Sequence, residues 1–357
     1  MNTQEYYMNR CLQLAQQAKG HTAPNPMVGA VLVYNDRIIG EGWHHYYGGD
    51  HAEVNCLKNV PEADKHLIPE STMYVNLEPC AHYGITPPCA IRLVEEKVKQ
   101  VIIANKDPFE VVSGKGIELL KEGGILVQTG ILEKEGGWVN RRFFCYHKKK
   151  RPYIILKWAQ TLDGYLAAAD RGRMQITGEN AQKLVHKWRT EEGAIMVGTH
   201  TALNDNPQLT SRLWQGKQPL RIVLDRKLQL PATHHLFDNT AATWIINEEQ
   251  EVLNGNVHHV MMRFDDTLLS QLLHRLYEAK ILSLIVEGGA VLLDSFIKQG
   301  LWDEARIFTG NTSIRNGMPA PLLTGESHAF TSVIGENRLQ VFVNNNSDHP
   351  YIAGMEL

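Results

Sequence analysis

Three soft ligands and one carboxylate restrict this chain more than any other feature: His51-Ala52-Glu53, Pro79-Cys80 and Cys89. One imidazole and two thiolates are the three protein ligands of a catalytic zinc that keeps its fourth position open. A fold that uses them must bring the start of a helix near residue 51 against the loop that carries both cysteines. Zinc lowers the pKa of a bound water to about 7. Glu53, two residues from His51, is placed to face the open position without ligating. There it suits a proton shuttle from water to a leaving amine. Taken singly, the same residues have plainer uses: H-x-E is common on surface helices, and paired cysteines are often buried thiols. Zinc nucleobase deaminases carry H-x-E with P-C-x-x-C; here eight residues separate Cys80 from Cys89.

The cysteine count is five, odd and sparse. That argues against a disulfide framework and for a reducing compartment, where clustered Cys and His become metal or catalytic candidates. With 357 residues, two domains are expected. Basic and acidic residues number 14 and 17 up to residue 146, and 22 and 22 after it. Neither half has the basic footprint of a nucleic-acid binder. No apolar run reaches the ~18–20 residues that span a bilayer, and the start MNTQEYYMNRCLQLAQQAKG has no signal-peptide pattern. The expectation is a cytoplasmic protein with neither nucleic-acid nor membrane partners.

Strand-like runs alternate with helical patterns along the chain. Tyr7, Cys11, Leu14, Ala15 and Ala18 predict a helix over about residues 4 to 19, stopped by Pro24-Asn25-Pro26. Runs 28–34 and 37–40 flank Asn35-Asp36 and predict a hairpin. A helix opens at His51, 73–77 reads as a strand, 91–98 as helical and 100–104 as strand. The basic stretch Tyr-His-Lys-Lys-Lys-Arg-Pro at 146–152 marks a boundary, giving domains 1–146 and 152–357 joined by a linker over 147–151. A charged surface loop is the equal alternative there. Beyond it, 153–157, 194–197, 220–225 and 282–286 read as strands, and 180–189 and 290–297 as helices. Both halves are therefore expected to be layered α/β.

The run Leu77-Glu78-Pro79-Cys80-Ala81-His82-Tyr83-Gly84-Ile85-Thr86-Pro87-Pro88-Cys89 closely resembles the deaminase domain of the bifunctional riboflavin-biosynthesis deaminase/reductase family. So do Pro24-Asn25-Pro26-Met27-Val28-Gly29 and the stretch from Gly42-Trp43-His44 to His51-Ala52-Glu53. The resemblance implies a cytidine-deaminase-like three-layer domain using Zn2+ to remove the 2-amino group of a phosphoribosylated diaminopyrimidinone. It implies His51, Cys80 and Cys89 as ligands and Glu53 as proton shuttle. It also places Asn25, His44 and His82 near the pyrimidine, whose edge an amide and imidazoles can read. One departure is Asp107-Pro108-Phe109-Glu110, where many family members have Asn-Pro after Asp-Pro.

No G-x-G-x-x-G follows any strand, so a standard dinucleotide fold is not supported. Instead, Lys157-Trp158-Ala159-Gln160-Thr161-Leu162-Asp163-Gly164, Gln175-Ile176-Thr177, His186-Lys187-Trp188-Arg189, Val197-Gly198-Thr199-His200-Thr201, Asp205 to Arg212 and Val286-Glu287-Gly288-Gly289 resemble, in order, the reductase domain of the same family. That resemblance implies a dihydrofolate-reductase-like fold and reduction of a ribosylamino to a ribitylamino group by NADPH. It places Ala159, Gln175, Thr201, Asp205, Arg226, Gly289, Ala290, Val291, Leu292, Leu293, Asp294 and Ser295 at the cofactor. It places Arg173, Arg189, Leu209, Arg212 and Glu287 at the substrate, with the two arginines Arg189 and Arg212 as partners for a 5′-phosphate. Lys157, Asp205 and Glu287 are the polar groups beside the reacting sugar. Gly288-Gly289 before a helix suits a phosphate by backbone approach and helix charge. The resemblance further implies a homo-oligomer.

Three residues depart from the family pattern. Gln175 stands for a common Trp, Arg173 for a small hydroxyl residue, and Arg226 for a small polar residue near the cofactor's ribose. Arg226 is therefore expected to favour the 2′-phosphate of NADPH. Two other readings stay open: a monofunctional deaminase with a degenerate reductase-like half, and a nucleic-acid base deaminase.

Overall fold

Asn2 starts the first helix. Its side chain accepts the Glu5 backbone N–H at 2.8 Å, and Glu5 accepts the Asn2 N–H at 2.9 Å, a capping box. The helix, α1 (Thr3–Gln16), buries Tyr7, Met8, Cys11, Leu12, Leu14 and Ala15 along one stripe. The computed structural model describes residues 2–83, 87–109, 113–169 and 174–355. The chain divides into two units, one of Met1–Lys149 with Gly354–Leu357, the other of Lys150–Ala353.

The first unit contains β1 (Gly29–Tyr34), β2 (Arg37–Trp43), α2 (Ala52–Lys58), β3 (Thr72–Leu77), α3 (Cys89–Glu95), β4 (Gln100–Asn105), α4 (Lys115–Glu122), β5 (Leu126–Thr129), α5 (Glu133–Val139) and α6 (Arg141–Lys149). Its sheet runs β2-β1-β3-β4-β5, with β1 antiparallel to both neighbours and β3, β4 and β5 parallel. The central strands β1, β3 and β4 are buried on both faces, and alternation sorts their side chains into two cores. Ala30, Leu32, Met73, Val75, Val101 and Ile103 pack with α2, α3 and α4. Val31, Val33, Tyr74, Ile102 and Ala104 pack with α1 on the other face. This is the expected three-layer arrangement.

Two boundaries differ from the expectation. Residues 147–149, read as linker, are the last turn of α6. Phe143, Phe144 and Cys145 bury one side of that helix, and its His147, Lys148 and Lys149 lie at the C-terminal end, where positive charge is favoured. The second domain does not run to the last residue: Gly354 and Met355 group with the first unit. There the Trp138 indole donates to Met355 O at 2.9 Å.

The second unit is built on a ten-stranded sheet. In chain order it comprises β6 (Tyr153–Gln160), β7 (Tyr165–Ala168), α7 (Glu179–Glu191), β8 (Ala194–Val197), α8 (Thr199–Asp205), β9 (Leu220–Leu224), β10 (Thr243–Asn247), β11 (Val252–Asn254), β12 (Val257–Met261), α9 (Leu268–Glu278), β13 (Ser283–Val286), α10 (Ala290–Lys298), β14 (Glu304–Thr309), β15 (Gly317–Pro319), β16 (Glu326–Ile334) and β17 (Asn337–Asn344). The sheet order is β11-β12-β10-β9-β8-β13-β6-β14-β17-β16; β7 and β15 pair separately. From β12 to β14 every pairing is parallel, and β11, β17 and β16 add antiparallel edges. Parallel strands are buried on both faces, which is why 154–156, 194–197 and 284–286 read as continuous apolar runs. Among the described residues, no helix is long and apolar enough to cross a membrane.

Candidate active sites

Two helix starts and one strand end build the first site. His51 is the N-cap of α2, Cys89 is the first residue of α3, and Cys80 lies three residues past the end of β3. α2 lies unusually close to β2: a Cβ on Gly42 would meet Cys56 N at 2.3 Å, so only glycine permits this approach. His51 Nδ1 is 3.5 Å from Cys80 Sγ and 3.3 Å from Cys89 Sγ, and the three donor atoms all lie within 4.8 Å of one another. Zinc bonds of about 2.0–2.3 Å in a tetrahedron set such atoms about 3.5 Å apart. The donor set therefore fits the ion, and it is the only such cluster among the described residues.

The protons on this cluster are unevenly held. The hydrogen bond from the Cys89 thiol holds Cys80 down to about 4, with His51 adding to it against burial. The same bond pushes Cys89 up. Hydrogen bonding to Cys80 raises His51 to about 8. Metal binding must displace these protons, so it is coupled to pH. Glu53, in the first turn of α2, is 3% exposed, and burial pushes its carboxyl up. That suits a group that must hold and release a proton near neutrality.

Asn25 and His44 converge beside His51. The buried His44 places Nδ1 2.9 Å from Asp50 O, and a carbonyl only accepts, so Nδ1 carries the proton. Nε2, 3.2 Å from Asn25 Nδ2, then accepts from the amide. Burial lowers the His44 pKa and keeps the ring neutral. Its centroid is 5.3 Å from that of His51, edge to face. His82 is exposed and two residues past Cys80. It lowers the carboxyl of Asp107, which burial pushes up to about 6 with help from Glu78 and Cys80. Glu110 lies outside the described residues.

Sequence reading missed the residues that hold this site together. Glu78, 4% exposed, accepts N–H groups of Asp107, Gly114, Gly116 and Ile117 at 3.0–3.3 Å. Its carboxylate thus sits at the N-terminus of α4, where negative charge is favoured. Asn140 accepts Met27 N and donates to Met27 O, both at 2.8 Å; Asn76 accepts Gly29 N at 2.8 Å and donates to Met27 O at 3.1 Å. Together they fix the segment that follows Asn25. The available signal was an asparagine inside the apolar strand pattern Met73-Tyr74-Val75-Asn76-Leu77.

The second site is a cleft of about 1270 Å³ at the carboxyl ends of β6, β8, β9 and β13, the usual position for ligands of parallel sheets. Lys157, Ala159, Arg189, Thr201, Asp205, Leu209, Arg212, Arg226, Glu287, the run 289–293 and Ser295 all line it. Two expected residues do not join them. Gln175 is exposed, and Met174 lines the cleft instead. Asp294 is absent from the lining. Arg173 lies outside the described residues.

Gly288 and Gly289 have φ of 143° and 37°, so both use a region that favours glycine. Gly289 caps α10 and donates its N–H to Thr201 Oγ1 at 2.9 Å. A helix start that opens on the cleft behind small residues fits a cofactor phosphate. Arg189 donates to Glu287 at 2.8 Å and to Thr210 O at 3.0 Å. Arg189 Nε and Glu287 Oε1 are buried without a hydrogen-bond partner among the described residues. Burial lowers the Lys157 ammonium. Arg226 is 54% exposed, donates to Glu248 at 2.7 Å and lies 5.9 Å from the Phe264 ring centre.

Comparison with known proteins covers both units. The RibD C-terminal domain family matches residues 152–341, and the cytidine and deoxycytidylate deaminase zinc-binding region matches 1–105. The riboflavin biosynthesis protein RibD of Aquifex aeolicus is 40% identical over 318 residues, 87% of this chain and 88% of that protein. RibD of Bacillus amyloliquefaciens is 38% identical over 332 residues, 90% of this chain and 88% of that protein. The crystal structure of the Thermotoga maritima diaminohydroxyphosphoribosylaminopyrimidine deaminase/5-amino-6-(5-phosphoribosylamino)uracil reductase superposes with a TM-score of 0.88 at 33% identity, covering 96% of this chain and 99% of that one.

Proposed function

This chain belongs to the RibD family of bifunctional deaminase/reductases of riboflavin biosynthesis, with a zinc-binding deaminase domain followed by a reductase domain, and from that premise we propose its substrates, cofactor and working residues. The first unit hydrolyses the 2-amino group of 2,5-diamino-6-ribosylamino-4(3H)-pyrimidinone 5′-phosphate, releasing ammonia. The second reduces the ribosyl side chain of the product to ribityl with NADPH. The observation that carries this reading is the convergence of His51, Cys80 and Cys89, with buried Glu53 beside them.

His51, Cys80 and Cys89 would hold Zn2+, which supplies the Lewis acidity that makes water a nucleophile at neutral pH. Glu53 takes the proton of the attacking water and gives it to the departing amine. Asn25, fixed through Asn76 and Asn140 on the following segment, and His44, fixed by Asp50 O, orient the ring. His82 and Asp107 border the same space.

In the second unit Thr201 and the run from Gly289 to Ser295 would hold the nicotinamide cofactor, which supplies hydride. Glu287, Lys157 and Asp205, which line the cleft, would lie beside the sugar. Arg189 has Nη1 and Nη2 on Thr210 O and Glu287, so its first task is to orient the carboxylate. Arg212 is the arginine assigned to the 5′-phosphate. Arg226 selects NADPH over NADH. The chain works in the reducing cytoplasm, in keeping with five unbridged cysteines, and as a homo-oligomer, which sedimentation would measure.

The test follows ammonia and NADPH absorbance together, with zinc-loaded protein and the diaminopyrimidinone ribosyl phosphate. Ammonia followed by stoichiometric NADPH oxidation is the expected result. Ammonia alone would demote the second unit to a degenerate or differently specific domain. Zinc bound with neither signal would overturn the substrate.

A further inference from the structure

His186 has no role in the assignment above, yet it lines the reductase cleft. It sits on α7 with 6% of its surface exposed. Its Nδ1 accepts the backbone N–H of Arg212 at 2.7 Å and of Leu213 at 3.3 Å. A ring nitrogen that accepts from amides carries no proton, so the imidazole proton is on Nε2. Both hydrogen bonds of this side chain are at Nδ1, leaving Nε2–H without a partner among the described residues. Burial, Arg189 and Arg212 hold the ring down to about 4, which keeps it neutral at physiological pH.

The charged groups around the ring come from three further places. Arg189 lies one turn on along α7, Arg212 on the clamped loop, Lys157 on β6 and Glu287 just past β13. Glu287 is the sole carboxylate among these and is already engaged by Arg189. Among these four groups, three cations meet one carboxylate, so the surroundings of the ring favour an anion. An imidazole N–H adds a donor there without adding charge. The cofactor's phosphates suit different elements, the start of α10 beside Thr201 on α8.

We propose that His186 is a positioning and specificity residue of the reductase: Nε2–H donates to the substrate's 5′-phosphate, while Nδ1 holds the loop that presents Arg212. This rests on the reductase reading given above.

Two variants separate the two ring nitrogens. His186→Asn keeps an acceptor near Nδ1 and removes the distal donor. His186→Gln keeps a distal N–H and removes the proximal acceptor. Reduction is measured with the deaminated 5′-phosphate substrate and with its dephosphorylated counterpart, varying NADPH separately. His186→Asn is expected to raise KM for the phosphorylated substrate by about one to two orders of magnitude, the worth of a hydrogen bond to a charged group. KM for NADPH and for the dephosphorylated substrate should stay at wild-type values. Unchanged preference for the phosphorylated substrate, or a change in KM for NADPH instead, overturns the proposal.

A second measurement needs no variant and no turnover. In 15N-histidine-labelled wild type, His186 should appear as the neutral Nε2–H form at pH 7, and Nε2 should shift on titration with inorganic phosphate. A proton on Nδ1, or no response to phosphate, overturns the proposal. A wild type that binds phosphate at His186 but never oxidises NADPH overturns the reductase reading alone.

Discussion

Arg189 on α7 and Glu287 past β13 meet at 2.8 Å with side chains 11% and 9% exposed. Burial alone would push the Glu287 carboxyl up, but Arg189 and Lys157 outweigh it and hold the group at about 2. An unfolded glutamate titrates near ~4.3. The folded pKa is the lower one, so the pair's contribution is fully present above about pH 4.3 and is lost as pH falls toward 2. The amount is on the order of 3 kcal/mol. Wild type should therefore lose stability over that window more steeply than Glu287→Gln, as read by urea midpoints at each pH. Parallel curves would show that the pair adds nothing to pH dependence. The same variant should stop reduction while ammonia release continues.

Glu53→Gln keeps the shape of the first site and removes its proton carrier. Zinc content should stay at one per chain, ammonia release should fall by about 10²–10⁴-fold, and reduction of the deaminated intermediate should persist. Metal analysis alongside both assays checks this. Loss of zinc in the variant would make Glu53 a ligand and remove the shuttle role.

The zinc donors are legible in the sequence because cysteines are sparse, five in the chain, and His51, Cys80 and Cys89 sit beside helix starts and a Pro. The Arg189–Glu287 pair is not, since each residue alone reads as a surface charge and their meeting depends on the parallel register of β8 and β13. Helix α6 is hidden by its basic end: Phe143 and Phe144 show an apolar side only against Leu77 and Val28. Gln175 lies away from the cleft for a local reason: a family position fixes where the backbone runs, and the local conformation decides which of Met174 and Gln175 turns inward. Cores are the most legible feature, because strands buried on two faces leave continuous apolar runs.

Glu78 accepts four backbone N–H groups that span the loop from Asp107 to α4. A glutamine presents one acceptor oxygen and turns an amide N–H toward two of those donors. Glu78→Gln should cost about 1–3 kcal/mol of stability. Hydrogen exchange should rise first at Gly114, Gly116 and Ile117. A variant with wild-type stability and protection would mean that water replaces the carboxylate without loss.

Arg226 pairs with Glu248 while half exposed, and exposed ion pairs are worth little, with a median of about 0–1 kcal/mol. The guanidinium therefore gives up Glu248 readily for a 2′-phosphate. Arg226→Ala should raise Kd for NADPH by about tenfold, leave Kd for NADH unchanged and lower the salt sensitivity of NADPH binding. Equal affinities in wild type would remove Arg226 from cofactor selection.

The position of β6 has a consequence for synthesis. It is the first strand of its unit to leave the ribosome, but its two sheet neighbours are β13 and β14. Until residues 283–286 have emerged, the strand 153–160 has neither edge paired, and its second edge waits for 304–309. Its backbone groups and its Ile154-Ile155-Leu156 run are then exposed together, the condition under which nascent chains associate or recruit chaperones. The sheet of the first unit has no such delay, because β1 finds β2 after a two-residue turn and β3 soon after. Translation thus completes the sheet of the first unit well before that of the second, although residues 354–355 join the first unit last.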